Sequence, residues 1–143
     1  MDRETRADGF ILRTQHGSAE VRRLARGILG VRYEGLATDE MGSEVRAALR
    51  EWVDANVRIT LFVDASGLRA YEPAYRKGWT EWLSQQKRQL DGVHILFRSK
   101  LVELGIGIVN ALIGGVISAY SDPALFERTQ RLAVSRAAAD ARQ

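Results

Sequence analysis

The chain has 143 residues, of which 45% are hydrophobic and 27% are charged, and this balance excludes a disordered protein and predicts one soluble domain with its own core. It contains no cysteine, which excludes disulfides, thiol catalysis and cysteine-ligated metals, and two histidines are too few for a histidine-rich metal site. The formal net charge of +3 is small and the arginines are scattered, so we expect no nucleic-acid partner, no metal and no cofactor.

The beginning of the chain predicts a tail followed by strands. Residues 1–9 are mostly polar and lack the apolar stretch of a secretory signal, so we expect an N-terminal tail and a cytoplasmic protein. Phe10–Arg13 is a short apolar run and Glu20–Leu24 alternates loosely, which predicts strands or a hairpin. Gly27–Gly35 contains β-forming residues and predicts a better strand, in which Gly30 indicates a bulge or a close backbone approach.

The first predicted helix starts near Thr38, Asp39 and Glu40. Threonine can cap the free amides of a first turn, and carboxylates suit the positive end of the helix dipole. Apolar residues then recur at helical spacing, so the helix should reach about Ala55. They are Met41, Val45, Ala48, Leu49, Trp52 and Val53.

The stretch of residues 58–64 is the centre of the predicted fold. It is a run of apolar and β-branched residues that is too short for a stable helix and is followed by turn-forming residues. This pattern predicts a strand buried on both faces, which leaves the sheet at Asp64. Ser66 and Gly67 should then turn the chain.

A further helix and strand follow. Pro73 after Glu72 suits the first position of a second helix, which Asp91 and Gly92 should end. Val93–Phe97 is short and nearly all apolar, and it predicts the next strand.

The stretch Ser99–Tyr120 is unusually apolar and is uncharged from Leu104 onward. Its uncharged part is near the lower length limit for crossing a bilayer. Asn110 and four glycines interrupt it, so we interpret it as a buried helix and expect no membrane span.

Small residues recur every fourth position in that stretch, which would place them along one side of a helix. Another backbone could approach closely there, and two interpretations remain open: packing on the chain's own sheet, or a seam between two copies in a homodimer. The residues are Gly107, Ala111, Gly115 and Ala119.

The last helix should begin at Ser121 or Asp122 with Pro123 in its first position, and should continue over residues 134–143 as an extension or a frayed tail. Helices therefore alternate with strands after a β-rich start. This pattern predicts a single α/β domain over residues 10–133, with a mixed sheet of four to five strands and about four helices.

At this point the chain resembles the STAS family, named for sulfate transporters and anti-sigma-factor antagonists. Gly27–Thr38 resembles the family's second strand and helix start, and Phe62–Leu68 resembles the end of its central strand. Val93–Phe97 and Ile117–Asp122 resemble its last strand and closing segment. The similarity covers residues 10–133 and implies a STAS-like fold.

The chain departs from that family at the regulatory loop. Regulatory members carry an Asp-Ser-Ser-Gly run whose serine is phosphorylated, whereas this chain has Glu72-Pro73-Ala74-Tyr75. No hydroxyl occupies positions 72–74, so the resemblance implies the scaffold without its usual phosphorylation switch. Ser66 is an alternative acceptor, although we expect it mainly to hold a turn. The chain is also similar to divergent STAS/Sec14-like bacterial proteins, some suspected of holding apolar ligands.

No enzymatic site is predicted. Asp64, Ser66 and His94 contain the residue types of a catalytic triad, but a parallel arrangement should place His94 at the opposite edge of the sheet, and the G-x-S-x-G motif is missing. We therefore expect no catalytic residue, and a structural role for His94.

The leading hypothesis is a non-enzymatic regulatory module of STAS-like fold that binds a protein partner which the sequence does not name. Aromatic side chains and arginines after the central strand favour a recognition surface there. The alternative is a carrier or sensor of a lipid-like apolar ligand, held between the Leu101–Tyr120 helix and the sheet. The predicted partner-binding residues are Ser66, Arg69, Tyr71, Glu72, Tyr75 and Arg76.

Overall fold

The computed structural model describes residues 1–142 and shows one mixed sheet, which has seven strands rather than the predicted four to five. The strands lie side by side in chain order. They are β1 (Asp2–Arg6), β2 (Gly9–Arg13), β3 (Gly17–Ala25), β4 (Ile28–Ala37), β5 (Ile59–Tyr71), β6 (Leu90–Phe97) and β7 (Ile117–Tyr120).

The direction of the strands changes at β4. Strands β1 to β4 pair antiparallel through short turns, whereas β4 to β7 pair parallel. Parallel neighbours need crossover connections, and helices supply them. The helices are α1 (Asp39–Ala48), α2 (Arg50–Asp54), α3 (Pro73–Gln85), α4 (Lys100–Ile113) and α5 (Pro123–Ala141).

The two faces of the sheet carry separate cores. We call the side that bears Leu61 of β5 the front face, where α1, α3 and α4 pack over the main hydrophobic cluster. The back face bears Phe62 and Leu96, and α5 covers it with a smaller cluster around Phe126. Helices therefore cover both faces of the sheet.

The central strand is where the sequence places it. β5 lies between β4 and β6 in the middle of the parallel region, and Ile59, Leu61 and Phe62 are fully buried. The predicted exit turn is wrong, because the strand continues through Ser66 to Tyr71 with small register shifts against β4.

Residues Asp2–Arg6, which were expected in a tail, form the edge strand β1. All five side chains are exposed and four of them are charged, and Arg3 donates to Glu44 of α1 at 3.0 Å. Charged side chains on an edge strand oppose pairing with strands of other molecules.

The predicted helix over Ser99–Tyr120 is wrong beyond Ile113. Gly114 and Gly115 both adopt positive φ angles, 81° and 83°, which end α4 and turn the chain into β7. Asn110 stabilises this corner, because its Oδ1 accepts from the amide nitrogens of Val116 and Ile117, each at 2.9 Å.

The predicted helix starts are confirmed. Thr38 Oγ1 accepts from the Met41 amide at 3.2 Å, Pro73 begins α3, and Asp122 caps α5 through the Ala124 amide. α5 continues without a break to Ala141, so residues 134–141 belong to the helix, whereas Gln143 lies outside the described residues. Among residues 1–142, no helix combines the length and the apolar character that crossing a membrane requires.

Candidate functional site

The six predicted partner-binding residues do not form one exposed loop. Ser66 lies within β5, where its hydroxyl and its amide both donate to Asp64 Oδ1. The Glu72 carboxylate accepts a hydrogen bond from the Asp39 amide at 2.7 Å. Glu72, which directly precedes α3, therefore caps the first turn of α1. Arg69 is exposed. The role of the six predicted residues in binding a partner stays a prediction.

Tyr71 and Tyr75 lie at the end of β5 and in α3 rather than on a loop, and both are partly buried against the front core. Tyr71 lies under α4 and packs directly against it. A Cβ atom added to Gly105 of α4 would lie only 2.5 Å from the Tyr71 hydroxyl oxygen. The ring of Tyr75 meets that of Tyr33 edge-on, with centroids 5.6 Å apart. Both tyrosines therefore contribute to the front core.

Between these side chains lies a cavity of about 100 Å³. It is bounded by the front face of β4 to β7 on one side and by α3 and α4 on the other. Its lining is almost entirely apolar. The lining residues are Val31, Tyr33, Leu61, Val63, Ala65, Leu68, Tyr71, Tyr75, Arg76, Trp79, Leu83, Val93, Ile95, Val102, Gly105, Ile106, Val109 and Ile117.

The cavity exists because the helices do not close over the centre of the sheet. Three side chains on the parallel strands remain partly accessible to solvent: Val63 of β5, Ile95 of β6 and Ile117 of β7. Strands of parallel sheets are normally covered by helices on both faces. Gly105 of α4 adds no side chain to fill the gap. The middle of the sheet therefore presents an open apolar floor beneath α3 and α4.

One end of the cavity is polar. Tyr33 and Trp79 belong to its lining, and Arg46 of α1 stacks over the Trp79 ring at 5.3 Å from the ring centroid. The Tyr33 hydroxyl, Trp79 Nε1 and Arg46 Nη1 are the buried side-chain polar atoms of residues 1–142 that have no hydrogen-bond partner. Buried polar atoms without partners are uncommon, so three of them in one place indicate a site for a further group.

Two glycines make room for the Arg46 guanidinium. A Cβ at Gly42 would lie 2.9 Å from Arg46 Nη1, and a Cβ at Gly78 would lie 2.8 Å from Nη2. Any larger residue at either position would therefore force the guanidinium to move.

The tyrosines at this end are protonated. Burial raises the pKa of Tyr33 to about 12, although Tyr75, Arg46 and Trp79 nearby act in the opposite direction. Burial also raises the pKa of Tyr75 well above its ordinary value, and Tyr33 adds to this effect. Both phenols therefore keep their protons at neutral pH.

No protein-family model matches the chain, and no curated protein matches it. Among solved structures, it is similar to an uncharacterized protein of the DUF3478 family with a SpoIIAA-like fold from Shewanella loihica PV-4. The TM-score is 0.58 at 14% identity, and the match covers 79% of this chain and 93% of that one. This chain has a STAS-like fold. The resemblance found in the sequence is thereby confirmed at the level of the fold.

Within the STAS-like fold, the sequence interpretation missed the residues of the polar end. A usable signal was present, because Gly42 and Gly78 stand inside helices, where glycine is unfavourable unless it makes room for a neighbour.

The predicted self-association residues are not on one ridge, because α4 ends before two of them. Gly107 and Ala111 lie on the exposed side of α4, whereas Gly115 is in the following turn and Ala119 is in β7. α4 is therefore buried on one side only. Its outer side instead carries a row of exposed apolar residues: Leu101, Leu104, Ile108 and Leu112.

On the back face, His94 has the structural role expected of it. Its Nδ1 is 2.8 Å from the Tyr120 hydroxyl, and its ring stacks on Phe62 with centroids 4.5 Å apart. The expectation that it lies at the opposite edge from Asp64 is wrong, since Phe62 pairs with His94 and Asp64 with the nearby Leu96.

The burial of His94 predicts a loss of stability in mild acid. Burial lowers its pKa below the ordinary value of 6.5, so the unfolded chain binds this proton more readily than the folded chain. The contribution of neutral His94 to the stability of the folded state is complete above pH 6.5. It is lost as the pH falls through the lower pKa that His94 has in the folded chain. Urea unfolding at pH 7.5 and pH 5.5 should show a smaller pH effect in His94→Gln than in the wild type; equal effects would contradict this.

Proposed function

We propose that this chain is a non-enzymatic STAS-type regulatory module that binds a small apolar ligand in the front-face cavity. The observation that carries the proposal is the apolar space beneath α3 and α4. Packed protein interiors contain few voids larger than a water molecule. Because the helices leave this apolar surface partly open to water, a ligand that covers it would gain roughly 25 cal/mol per Å² of apolar surface buried.

The chemistry of the walls favours an apolar occupant over water. Val63, Ile95 and Ile117 form the floor, and none of them offers a hydrogen bond. An apolar cavity of roughly 150 Å³ stays dry and accepts benzene, so a space of about 100 Å³ suits a compact body of about six carbon atoms.

Ligand occupancy would be sensed through α3 and α4, which form the roof of the cavity. A ligand that binds only the folded, closed arrangement stabilises it by mass action. The outer side of α4 carries the exposed apolar row, so a change in the position of this helix changes the surface offered to a partner.

The test is a cavity-filling substitution with a matched control. Ile95→Phe adds an aromatic ring to the floor, whereas Leu132→Phe adds a ring to the exposed side of α5, on the opposite face of the sheet. With 1-hexanol and toluene as probes in thermal-shift and calorimetric titrations, we expect Ile95→Phe to lose at least tenfold in affinity and Leu132→Phe to match the wild type. No binding of either probe to the wild type would refute the proposal.

A second candidate function is favoured by the outer side of α4: an interaction module that pairs with a second copy. An antiparallel two-fold contact centred on Ile108 would place Leu104 of one copy against Leu112 of the other, and such self-complementarity is what a symmetric dimer requires. Gly107 offers open space for the approaching helix. Native mass spectrometry of the purified chain reports both its copy number and any bound ligand; a monomer at micromolar concentration contradicts this second function.

A further inference from the structure

The three polar atoms without partners lie in one region, and two of the three residues line the cavity. A Cβ at Gly42 would be 2.9 Å from Arg46 Nη1 and 3.3 Å from Trp79 Nε1, so both nitrogens lie next to a single point between α1 and α3. Tyr33 reaches this region from β4, since its ring centroid is 5.6 Å from that of Tyr75, and Tyr75 Cδ2 would lie 3.1 Å from the same Cβ. Tyr33 and Trp79 also line the apolar cavity, which connects the donors to its interior.

The chemistry of these donors specifies what they would accept. An indole nitrogen and a guanidinium can only donate hydrogen bonds, and a protonated phenol donates readily. A guanidinium is charged at every physiological pH, and no carboxylate within residues 1–142 forms an ion pair with Arg46. Arg46 is partly buried and its Nη1 has no partner, so an anion with oxygen acceptors would complement both the charge and the unpaired donor.

The apolar walls decide the class of anion. We propose that the cavity binds an apolar monocarboxylate, with the carboxylate between Tyr33, Arg46 and Trp79 and the hydrocarbon body on the floor of the sheet. This inference rests on the proposed function, since it names the ligand class of the same cavity. A guanidinium can pair with a carboxylate through two parallel hydrogen bonds, whereas an inorganic phosphate has no hydrocarbon body to cover the apolar floor.

The experiment compares two probes of equal length, hexanoate and 1-hexanol, by calorimetry at pH 7.5. Charge-assisted hydrogen bonds to a carboxylate predict that hexanoate binds about tenfold to hundredfold more tightly than 1-hexanol. Arg46→Met, which keeps an unbranched side chain and removes the charge, should abolish this preference while 1-hexanol binds as before.

Tyr33→Phe supplies a second variant that keeps the proposal falsifiable if Arg46→Met does not fold. It removes only the hydroxyl, which has no partner in the ligand-free chain, so we expect the melting temperature to rise and the affinity for hexanoate to fall about tenfold. The matched control is Tyr120→Phe, because the Tyr120 hydroxyl is paired with His94 on the back face. This control should bind hexanoate like the wild type and should not gain stability.

The outcomes separate this inference from the proposed function. If 1-hexanol binds and hexanoate does not, or if Arg46→Met leaves the preference for hexanoate intact, the carboxylate assignment is overturned and the apolar cavity stands. If inorganic phosphate competes with hexanoate at equal concentration, the monocarboxylate class is overturned. If neither six-carbon probe binds the wild type, both proposals fail together.

Discussion

Phe126→Ala is expected to lower the free energy of unfolding by about 3–5 kcal/mol, the usual cost of removing a buried aromatic side chain. Phe126 is the one buried residue among the nineteen of α5, all of which are described. Its ring meets Phe62 and Tyr120 edge-on, with centroids 5.9 Å and 5.6 Å away. The rest of the contact is made by small and half-buried side chains such as Ala133, Val134 and Ala137.

Denaturant unfolding measures the loss, and hydrogen exchange shows where it occurs. Without Phe126, the amides of α5 should exchange much faster while those of β5 stay protected until global unfolding. The neighbouring Leu125→Ala is the control, because Leu125 is 41% exposed and its loss should change stability by roughly 0.5 kcal/mol or less. Equal losses for the two variants would show that α5 is not held by Phe126.

Asn110→Ala is expected to cost about 2–4 kcal/mol, because it removes three hydrogen bonds at the corner between α4 and β7. Its Oδ1 accepts from the amides of Val116 and Ile117, and its Nδ2 donates to the Ile117 carbonyl at 3.3 Å. Since Ile117 belongs to the cavity floor, the substitution should also weaken the binding of 1-hexanol.

Asn110→Asp separates the acceptor role of Asn110 from its donor role. The aspartate keeps an oxygen facing the Val116 and Ile117 amides but replaces the Nδ2 donor with an oxygen that repels the Ile117 carbonyl. Charge-assisted hydrogen bonds from the two amides should outweigh this repulsion, so the aspartate should cost less than alanine in the same denaturant series. If aspartate and alanine are equally destabilising, the side-chain oxygen does not hold the corner.

Local signals in the sequence were sufficient for the helix starts and the central strand. The caps at Thr38 and Asp122 and the proline at position 73 act within a few residues, so they can be read without knowing the fold. The apolar run of β5 is also a local signal, and it predicts burial of that strand on both faces without knowledge of the fold.

The missed elements depend on partners far away in the chain. β1 is entirely exposed and charged, so nothing in its composition indicates a strand, and only its pairing with β2 makes it one. β7 was merged with the preceding helix because Ile117–Tyr120 is short and apolar, and its pairing with β6 decides its conformation. The two consecutive glycines before it were the local signal for the break.

The sequence by itself determined the class of the fold, the starts of the helices and the position of the buried strand, because these features depend on neighbouring residues and on periodicity. Only the tertiary structure decided that Tyr71 and Tyr75 face inward and that Tyr33, Arg46 and Trp79 meet at one end of an apolar cavity. Those three residues come from β4, α1 and α3, and a site made of distant segments is set by how the segments pack, which no local pattern encodes.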